Sequence, residues 1–522
     1  MKRVPRSSKM DRLTVDFMTR HGLLCACKVV TGKQLLFYSI AGVAWLVLLF
    51  YRWDLFVFFL TVFFALLYGL SAFFRGSAAL FALFGRGADR VSAEELTALQ
   101  DKELPVYTVL IPLYREEAVA AKLLKSIGKL DYPHDKLDVK LLLECDDATT
   151  AKALQSAGIP EWCEVITVPD GPLRTKPRAC NYGLERARGE FCVIFDAEDI
   201  PEPDQLKKAF IVFRRDRERK LACVQAKLHY YNARENWLTH FFAIEYLVNF
   251  DLMLPGFRMW RMPLPLGGTS NHFRVDVLRK IGPWDPFNVT EDCDLGIRIG
   301  EAGYRTGLVD SVTWEEANRA LGNWFRQRSR WVKGFAQTHL VHSRAPWAIL
   351  RKLGVKGMIG AYLAVGGSVL MMLCNVVFWC IVLLYGVLLA HGAMQGCSLP
   401  EMMIGPVTGA AAELKPLELG PFSLRAWPLW YTGASEDPFW ALFSQVSCVI
   451  SVGLFAANFW FVLAGLGVCV KNRQWGLLPS ALLMPLYWVL ISLAAWKGVL
   501  QLVTKPFYWE KTRHGLTKKS KQ

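Results

Sequence analysis

The chain has 522 residues, enough for more than one domain and a large core. With 53% hydrophobic and 20% charged residues it is too apolar for a wholly soluble chain and too charged for one that is membrane throughout. Lys and Arg number 61 against 46 Asp and Glu, a net charge of +15, and the excess clusters beside apolar segments and in one loop, which argues against a nucleic-acid partner. The 13 Cys are scattered and odd in number, so no disulfide framework is expected.

In chain order, residues 35–50 and 55–74 are apolar stretches joined by Tyr51-Arg52-Trp53-Asp54. Each approaches the ~20 residues that cross a bilayer, so 35–75 reads as a transmembrane hairpin. Residues 1–34 hold eight Lys/Arg and two Asp, which puts this basic segment in the cytosol. No cleavable signal peptide is expected, because the first apolar run starts late and another follows at once. Cys25-Ala26-Cys27 lacks the further ligands of a zinc site.

Residues 88–345 change character. Apolar or β-branched runs at 106–113, 139–143, 164–168, 191–195 and 222–226 predict strands. Helices are predicted over 116–129, from Pro177 to near Gly189, and from Pro203. This alternation predicts a mostly parallel sheet covered on both faces, with ligands bound beyond the carboxyl ends of its strands. The stretch 236–253 reads as an amphipathic, aromatic helix on the membrane face, or an ordinary core helix.

The C-terminal part, 346–503, is apolar again. Residues 358–390 would make about 50 Å of helix, one span plus a kinked or interfacial piece. Residues 391–438 carry only Lys415 and Arg425 and read as an extracytoplasmic loop. Residues 439–470 return to Lys471-Asn472-Arg473. In 477–502, Pro479 and Pro485 predict a break into a re-entrant or interfacial hairpin. Residues 504–522 form a basic cytosolic tail.

Acidic groups stand at the predicted strand ends: Asp146-Asp147, then Asp196-Ala197-Glu198-Asp199. A third group, Glu291-Asp292 with Asp294, lies in a loop that begins a predicted helix. Singly, such residues are as readily turn formers and caps. Three groups in order on one sheet point instead to Mg2+ or Mn2+ ligation and base chemistry. Between the first two lies Arg174-Thr175-Lys176-Pro177-Arg178, three cations at a helix start, an anion site of diphosphate size or a solvated basic loop. Gln327-Arg328-Ser329-Arg330-Trp331 adds a cation beside an aromatic platform.

Taken in order, Asp146-Asp147, Asp196-x-Glu198, Thr290-Glu291-Asp292 and Gln327-x-x-Arg330-Trp331 resemble the D, DxD, TED and QxxRW motifs of processive family 2 glycosyltransferases, of the bacterial cellulose-synthase-like type. The resemblance covers about residues 100–345. It implies an α/β GT-A (Rossmann-like) cytosolic domain inserted between transmembrane helices of the inner membrane. Asp146 and Asp147 would meet the nucleoside of a UDP-sugar donor, UDP-glucose favoured. Asp196 with Glu198 or Asp199 would hold the metal, and Lys176 and Arg178 would neutralise the diphosphate. Thr290, Glu291 and Asp292 would form the catalytic group, with Asp292 as base. Gln327, Arg330 and Trp331 would hold the pyrophosphate and acceptor sugar, with Gly268, Thr269 and Ser270 along the acceptor path. One base without a carboxylate nucleophile implies inversion, and so a β-linked exopolysaccharide moved through the protein's own helices, with the growing glycan, the bilayer and periplasmic or export subunits as partners. Residues 503–512 stand where related synthases have a gating loop, or are a membrane anchor. Alternatives are a single transfer onto a lipid and, in another class, a non-catalytic scaffold or transport subunit.

Overall fold

The computed structural model describes residues 10–85, 87–398, 417–419, 422–424, 453 and 459–511. Its centre is one eight-stranded sheet. The strands are β1 (Tyr107–Leu113), β2 (Leu137–Glu144), β3 (Cys163–Val168), β4 (Phe191–Ile194), β5 (Ile200–Pro201), β6 (Leu221–Tyr230), β7 (Asn271–Arg274) and β8 (Arg305–Glu315). They lie in the order β3-β2-β1-β4-β7-β6-β8-β5. β1, β2 and β4 are buried almost throughout, as strands covered on both faces must be, and β2 carries Asp138, Lys140 and Glu144 within its apolar residues.

The sheet is less parallel than the sequence predicts. β1 pairs in parallel with β2 and β4, β2 with β3, and β6 with β8. β7 enters antiparallel between β4 and β6, and β5 is antiparallel to β8. β7 is only four residues, Asn271–Arg274, too short and polar to read as a strand from pattern alone. The result is the mixed sheet of a GT-A-like domain.

Helices cover both faces. Lys176–Glu185 starts with Pro177 in its first turn, where the missing N–H costs nothing. It lies directly on β1 and β2, since a Cβ on Gly183 would come within 2.8 Å of the Leu110 and Leu142 side chains. Trp237–Val248 is started by a capping box at Asn236 and continues through a π-turn, Asn249–Met253, into Leu254–Met259. Most of its residues are core, so it is a packed helix and not a surface one.

Among the described residues four helices are long and apolar enough to cross a membrane: Gly32–Tyr51, Trp53–Phe84, Pro346–Cys380 and Met484–Thr504. The first two leave large apolar side chains such as Leu35, Phe37 and Phe50 facing outward. Trp53–Phe84 extends well past residue 74, because Arg75 and Gly76 interrupt the hydropathy but not the helix. The third is bent at Gly354 (φ 68°) and by the π-turn Leu363–Gly367, after which Ser368–Met394 runs on. In the last, a short helix Leu478–Leu482 precedes one unbroken helix, Met484–Thr504, in place of the hairpin predicted there. Pro485 falls in its first turn and so breaks nothing. Much of the loop predicted over 391–438, and of the stretch 439–470 up to Phe459–Lys471, lies outside the described residues.

The apolar helices touch the sheet domain backbone to backbone. A Cβ on Gly256 would sit 2.3 Å from the Ala78 carbonyl oxygen, and Phe74 stacks on Phe257 at 5.1 Å. A Cβ on Gly498 would sit 2.5 Å from the Ser329 carbonyl oxygen. The N-terminal segment is docked as well. Asp11 accepts from Arg178 Nε at 2.8 Å, Asp285 accepts from Ala26 N at 2.5 Å, and Arg344 donates to the carbonyls of Leu23, Cys25 and Lys28. Cys25 and Cys27 are free thiols.

Candidate active site

A cavity of about 520 Å³ opens beyond the carboxyl ends of the central strands. At its inner end stand Lys176, Asp196, Glu198, Glu291, Asp292 and Glu315. They arrive from four separate pieces of chain. Asp196 and Glu198 follow β4, Lys176 opens a helix, Glu291 and Asp292 are the first residues of the helix Glu291–Glu301, and Glu315 ends β8.

Lys176 Nζ bridges Asp196 Oδ1 and the Gly268 carbonyl, the latter at 2.7 Å. Burial alone would lower its pKa, but the charges of Asp196 and Glu291 outweigh that and hold it raised. Asp292 Oδ1 accepts from Cys293 N at 2.7 Å, and its other oxygen faces Gly268, where a Cβ would lie 3.4 Å away. Burial raises the pKa of both Asp292 and Glu291, and for Glu291 the neighbouring Asp292 charge adds to the rise. Asp292 has the geometry of a base: part-open to the cavity, held at one oxygen, and readier to take a proton than an ordinary carboxylate.

Asp199 is buried behind this group. It accepts from Asp196 N at 2.7 Å and from Thr269 Oγ1, while its Oδ1 has no partner among the described residues. It ties the turn after β4 to the 267–270 loop. Ser270, at φ 57°, lies behind the wall and donates to Thr313 Oγ1 at 2.6 Å. Gly268 and Thr269 line the cavity. Thr290 does so too, its N–H bound to Asn288 Oδ1 at 3.1 Å.

Gln327, Arg330 and Trp331 come to one face of the helix Leu321–His342, as their spacing requires. Gln327 Oε1 accepts from Asn318 Nδ2 at 2.7 Å. The Arg330 guanidinium lies 4.5 Å over the Trp509 ring, and its Nε has no partner among the described residues. Trp331 packs against Tyr246 and Phe242 and has Arg328 over its ring at 4.7 Å. Arg328 is fixed in turn by a bidentate pair with Glu245 at 2.7 and 2.5 Å, to which Tyr487 OH also donates at 2.9 Å.

Besides Asp199 and Ser270, three more of the expected residues are engaged away from the cavity wall. Asp147 caps the helix Ala148–Ala157, accepting from Thr150 N at 3.1 Å, Thr149 Oγ1 at 2.9 Å and the Arg115 N–H. Arg178 binds Asp11 and the Pro169 carbonyl. Asp146 pairs with Arg174, and it is Arg174 that lines the cavity. Residues the sequence reading passed over also line it. Glu315 ends a strand that was not recognised, and Glu144 stands before Cys145 and the first acidic pair. Burial pushes Glu144 up to about 7. The segment after Thr504 lies against the domain: Lys333 donates to the Tyr508 carbonyl at 2.6 Å, and Lys511 to those of Tyr114 and Arg115.

The donor set fits a hard divalent cation in kind, since Asp196, Glu198 and Glu315 bring oxygen ligands to one wall. Among the described residues no group of three His, Cys, Asp or Glu is preassembled around one point. The Lys176 ammonium sits on Asp196 Oδ1 where such an ion would compete with it.

The mixed GT-A-like sheet thus carries a carboxylate and cation cluster at its carboxyl edge. Residues 105–334 match the family described as glycosyltransferase like family 2. Over 242 residues the chain is 31% identical to the probable glycosyltransferase YdaM of Bacillus subtilis (strain 168), covering 45% of this chain and 56% of that protein. Over 247 residues it is 28% identical to a beta-monoglucosyldiacylglycerol synthase of Nostoc sp. (strain PCC 7120 / SAG 25.82 / UTEX 2576), covering 45% and 50%. The chain thus spans about half the length of these curated relatives. Among solved structures, it is similar to the mannosyltransferase PcManGT from Pyrobaculum calidifontis in complex with GDP-Man and Mn2+, at 19% identity and TM-score 0.44 over 76% of this chain and 98% of that one. That likeness is too loose to carry an argument. The family match and the relatives support a glycosyltransferase family 2 domain over this stretch.

Proposed function

We propose that the protein is a membrane-bound, inverting glycosyltransferase that takes a nucleotide-activated sugar, with UDP-glucose as first expectation, and passes it to an acceptor reaching the site along the cavity. The observation that carries this is the cavity's extent. One continuous space joins the carboxylate cluster at Asp292 to residues of the apolar helices, among them Tyr68, Asn375 and Ile491.

Asp292 takes the proton of the acceptor hydroxyl as that oxygen attacks the anomeric carbon from the face opposite the leaving diphosphate. The C–O bond to the diphosphate breaks with inversion, and its electron pair leaves with the nucleotide. Lys176 and Arg330 neutralise that charge, and Trp331, stiffened by Arg328, gives the acceptor sugar a stacking face. Asp196 and Glu198, with Glu315 beside them, would hold a Mg2+ or Mn2+ ion, which supplies Lewis-acid stabilisation of the leaving diphosphate. Asp199 and Asp147 act by fixing the loops, and Arg178 by anchoring the N-terminal segment.

Two acceptors fit. A growing β-linked glycan crossing the bilayer is the first, with the sheet domain in the cytosol. A lipid is the second, and the apolar wall at Met371, Met372 and Ile491 favours it. The test is nucleotide release by the full chain in nanodiscs with UDP- and GDP-sugars, with and without EDTA, followed by analysis of the product. A long glycosidase-sensitive product supports the first acceptor, and a glycolipid the second. No release from any donor with any acceptor would sink the transferase reading, and full release in EDTA would remove the metal from Asp196.

A further inference from the structure

The membrane-side half of the cavity carries a charge that the reaction above does not use. Arg75 lies on the apolar helix Trp53–Phe84 and lines the cavity opposite Ser368 and Asn375. Among the described residues its one hydrogen-bond partner is Ser368 Oγ, its Nε has no acceptor, and its nearest ring is Phe461 at 5.9 Å. It makes no ion pair with any described carboxylate. A further buried donor on the same helix face has no acceptor among the described residues. It is Ser71 Oγ, one turn before Arg75.

An arginine enclosed among apolar helices costs several kcal/mol unless an anion is paired with it. Among the described residues donors are in excess here, which fits a partner rich in acceptors. A phosphate, with its several oxygens and full charge, matches a guanidinium better than a neutral sugar does. Depth agrees. Phe74 and Ala78, on either side of Arg75, already pack on Phe257 and Gly256 of the sheet domain. Arg75 therefore stands where the helices meet that domain, which with the sheet domain outside the bilayer is the depth of a lipid headgroup.

We propose that this half of the cavity is an anion subsite in which Arg75 takes the headgroup phosphate of the acceptor lipid, with its tail along Met371, Met372 and Ile491 and its free hydroxyl directed to Asp292. This rests on the lipid-acceptor reading above and narrows it to a phospholipid. The transfer step is unchanged. The headgroup oxygen bonds the anomeric carbon, its proton goes to Asp292, and the diphosphate leaves with the electron pair.

Phosphatidylglycerol is the probe, because it carries both phosphate and hydroxyl, and diacylglycerol is its counterpart without phosphate. The full chain in detergent is loaded with each, washed in high salt to strip lipid from surface cations, and read by native mass spectrometry. Wild type retains phosphatidylglycerol in preference to diacylglycerol. Arg75→Gln weakens phosphatidylglycerol by about tenfold and leaves diacylglycerol alone, while Arg75→Lys restores most of the difference. Equal retention by Arg75→Gln, or no preference in wild type, overturns the subsite. Should Arg75→Gln not fold, the wild-type preference decides alone. Displacement of the lipid by inorganic phosphate would assign the site to a free anion and overturn the lipid. Nucleotide release on the same samples keeps the two readings apart. Lipid retained without release under any condition sinks the transferase and spares the subsite, and release without lipid preference does the reverse.

Discussion

At the scale of single residues, the proposed reaction rests on Asp292 and Lys176, and both stand out by what surrounds them. Asp292 begins a helix with one oxygen tethered and one facing the cavity, and its raised pKa follows from burial. Replacing it by Asn keeps the shape and removes the proton acceptor. We expect Asp292→Asn to lower turnover by about a thousandfold with nucleotide affinity largely kept, as measured by sugar transfer and calorimetry side by side. Near-normal turnover would take the base role from Asp292. The motif residues were legible because charge and spacing name them, but their directions were not. Lys176 and Arg178 are two apart on a helix and cannot face the same side, so one enters the cavity and the other leaves it for Asp11. Asp147 turned out to be a helix cap with its oxygens used, the plain role its position at a strand end always allowed.

Between elements, two contacts decide where the acidic helix and the helix of Arg330 and Trp331 stand. His342 closes the helix Leu321–His342 and joins Asp294 at 3.0 Å and Glu301 at 2.6 Å, both on Glu291–Glu301. Asp294 therefore belongs to the scaffold and not to the acidic site with which it was grouped. Burial works against protonation of His342, but the two carboxylates prevail and raise its pKa to about 9 from 6.5. A folded-state value above the unfolded one means that this stabilisation is complete below pH 6.5 and is lost as pH rises through about 9. Thermal unfolding of wild type should shift downward across that window. His342→Gln should flatten the dependence and cost about 3 kcal/mol at the acid end, and an unchanged slope would sink the assignment. The second contact is Gly498, whose added Cβ would press on Ser329 O at 2.5 Å and Lys333 N at 3.2 Å. Gly498→Val should cost about 1–3 kcal/mol and lower turnover, because the displaced helix holds Arg330 and Trp331. A variant with wild-type melting and turnover would show that the backbone contact does not matter. Neither contact could be read ahead, since each joins residues far apart in the chain.

At the scale of the whole molecule, the consequence of this packing is that the sheet domain and the apolar helices share one cavity. Its membrane-side wall includes Asn375, on Ser368–Met394. Asn375→Trp should narrow the passage while leaving the carboxylate cluster untouched. We expect hydrolysis of the donor to persist and transfer to an added acceptor to fall severalfold, measured as nucleotide release against labelled product. Loss of both in proportion would mean that Asn375 is not on the acceptor's path.

The sequence by itself determined which segments are apolar enough to leave water, that an alternating strand–helix domain lies between them, and which carboxylates and cations stand at strand ends. Those are local properties of composition and period, and they survive in any fold that buries them. The antiparallel entry of β7, the unbroken helix after Pro485, the outward turn of Arg178 and Asp147, and the approach of Arg75 to Ser368 were decided by tertiary structure alone. Each depends on which distant surfaces meet at van der Waals distance. Glycines such as Gly256 and Gly498 allow that meeting, but no pattern around them in the chain says what they will touch.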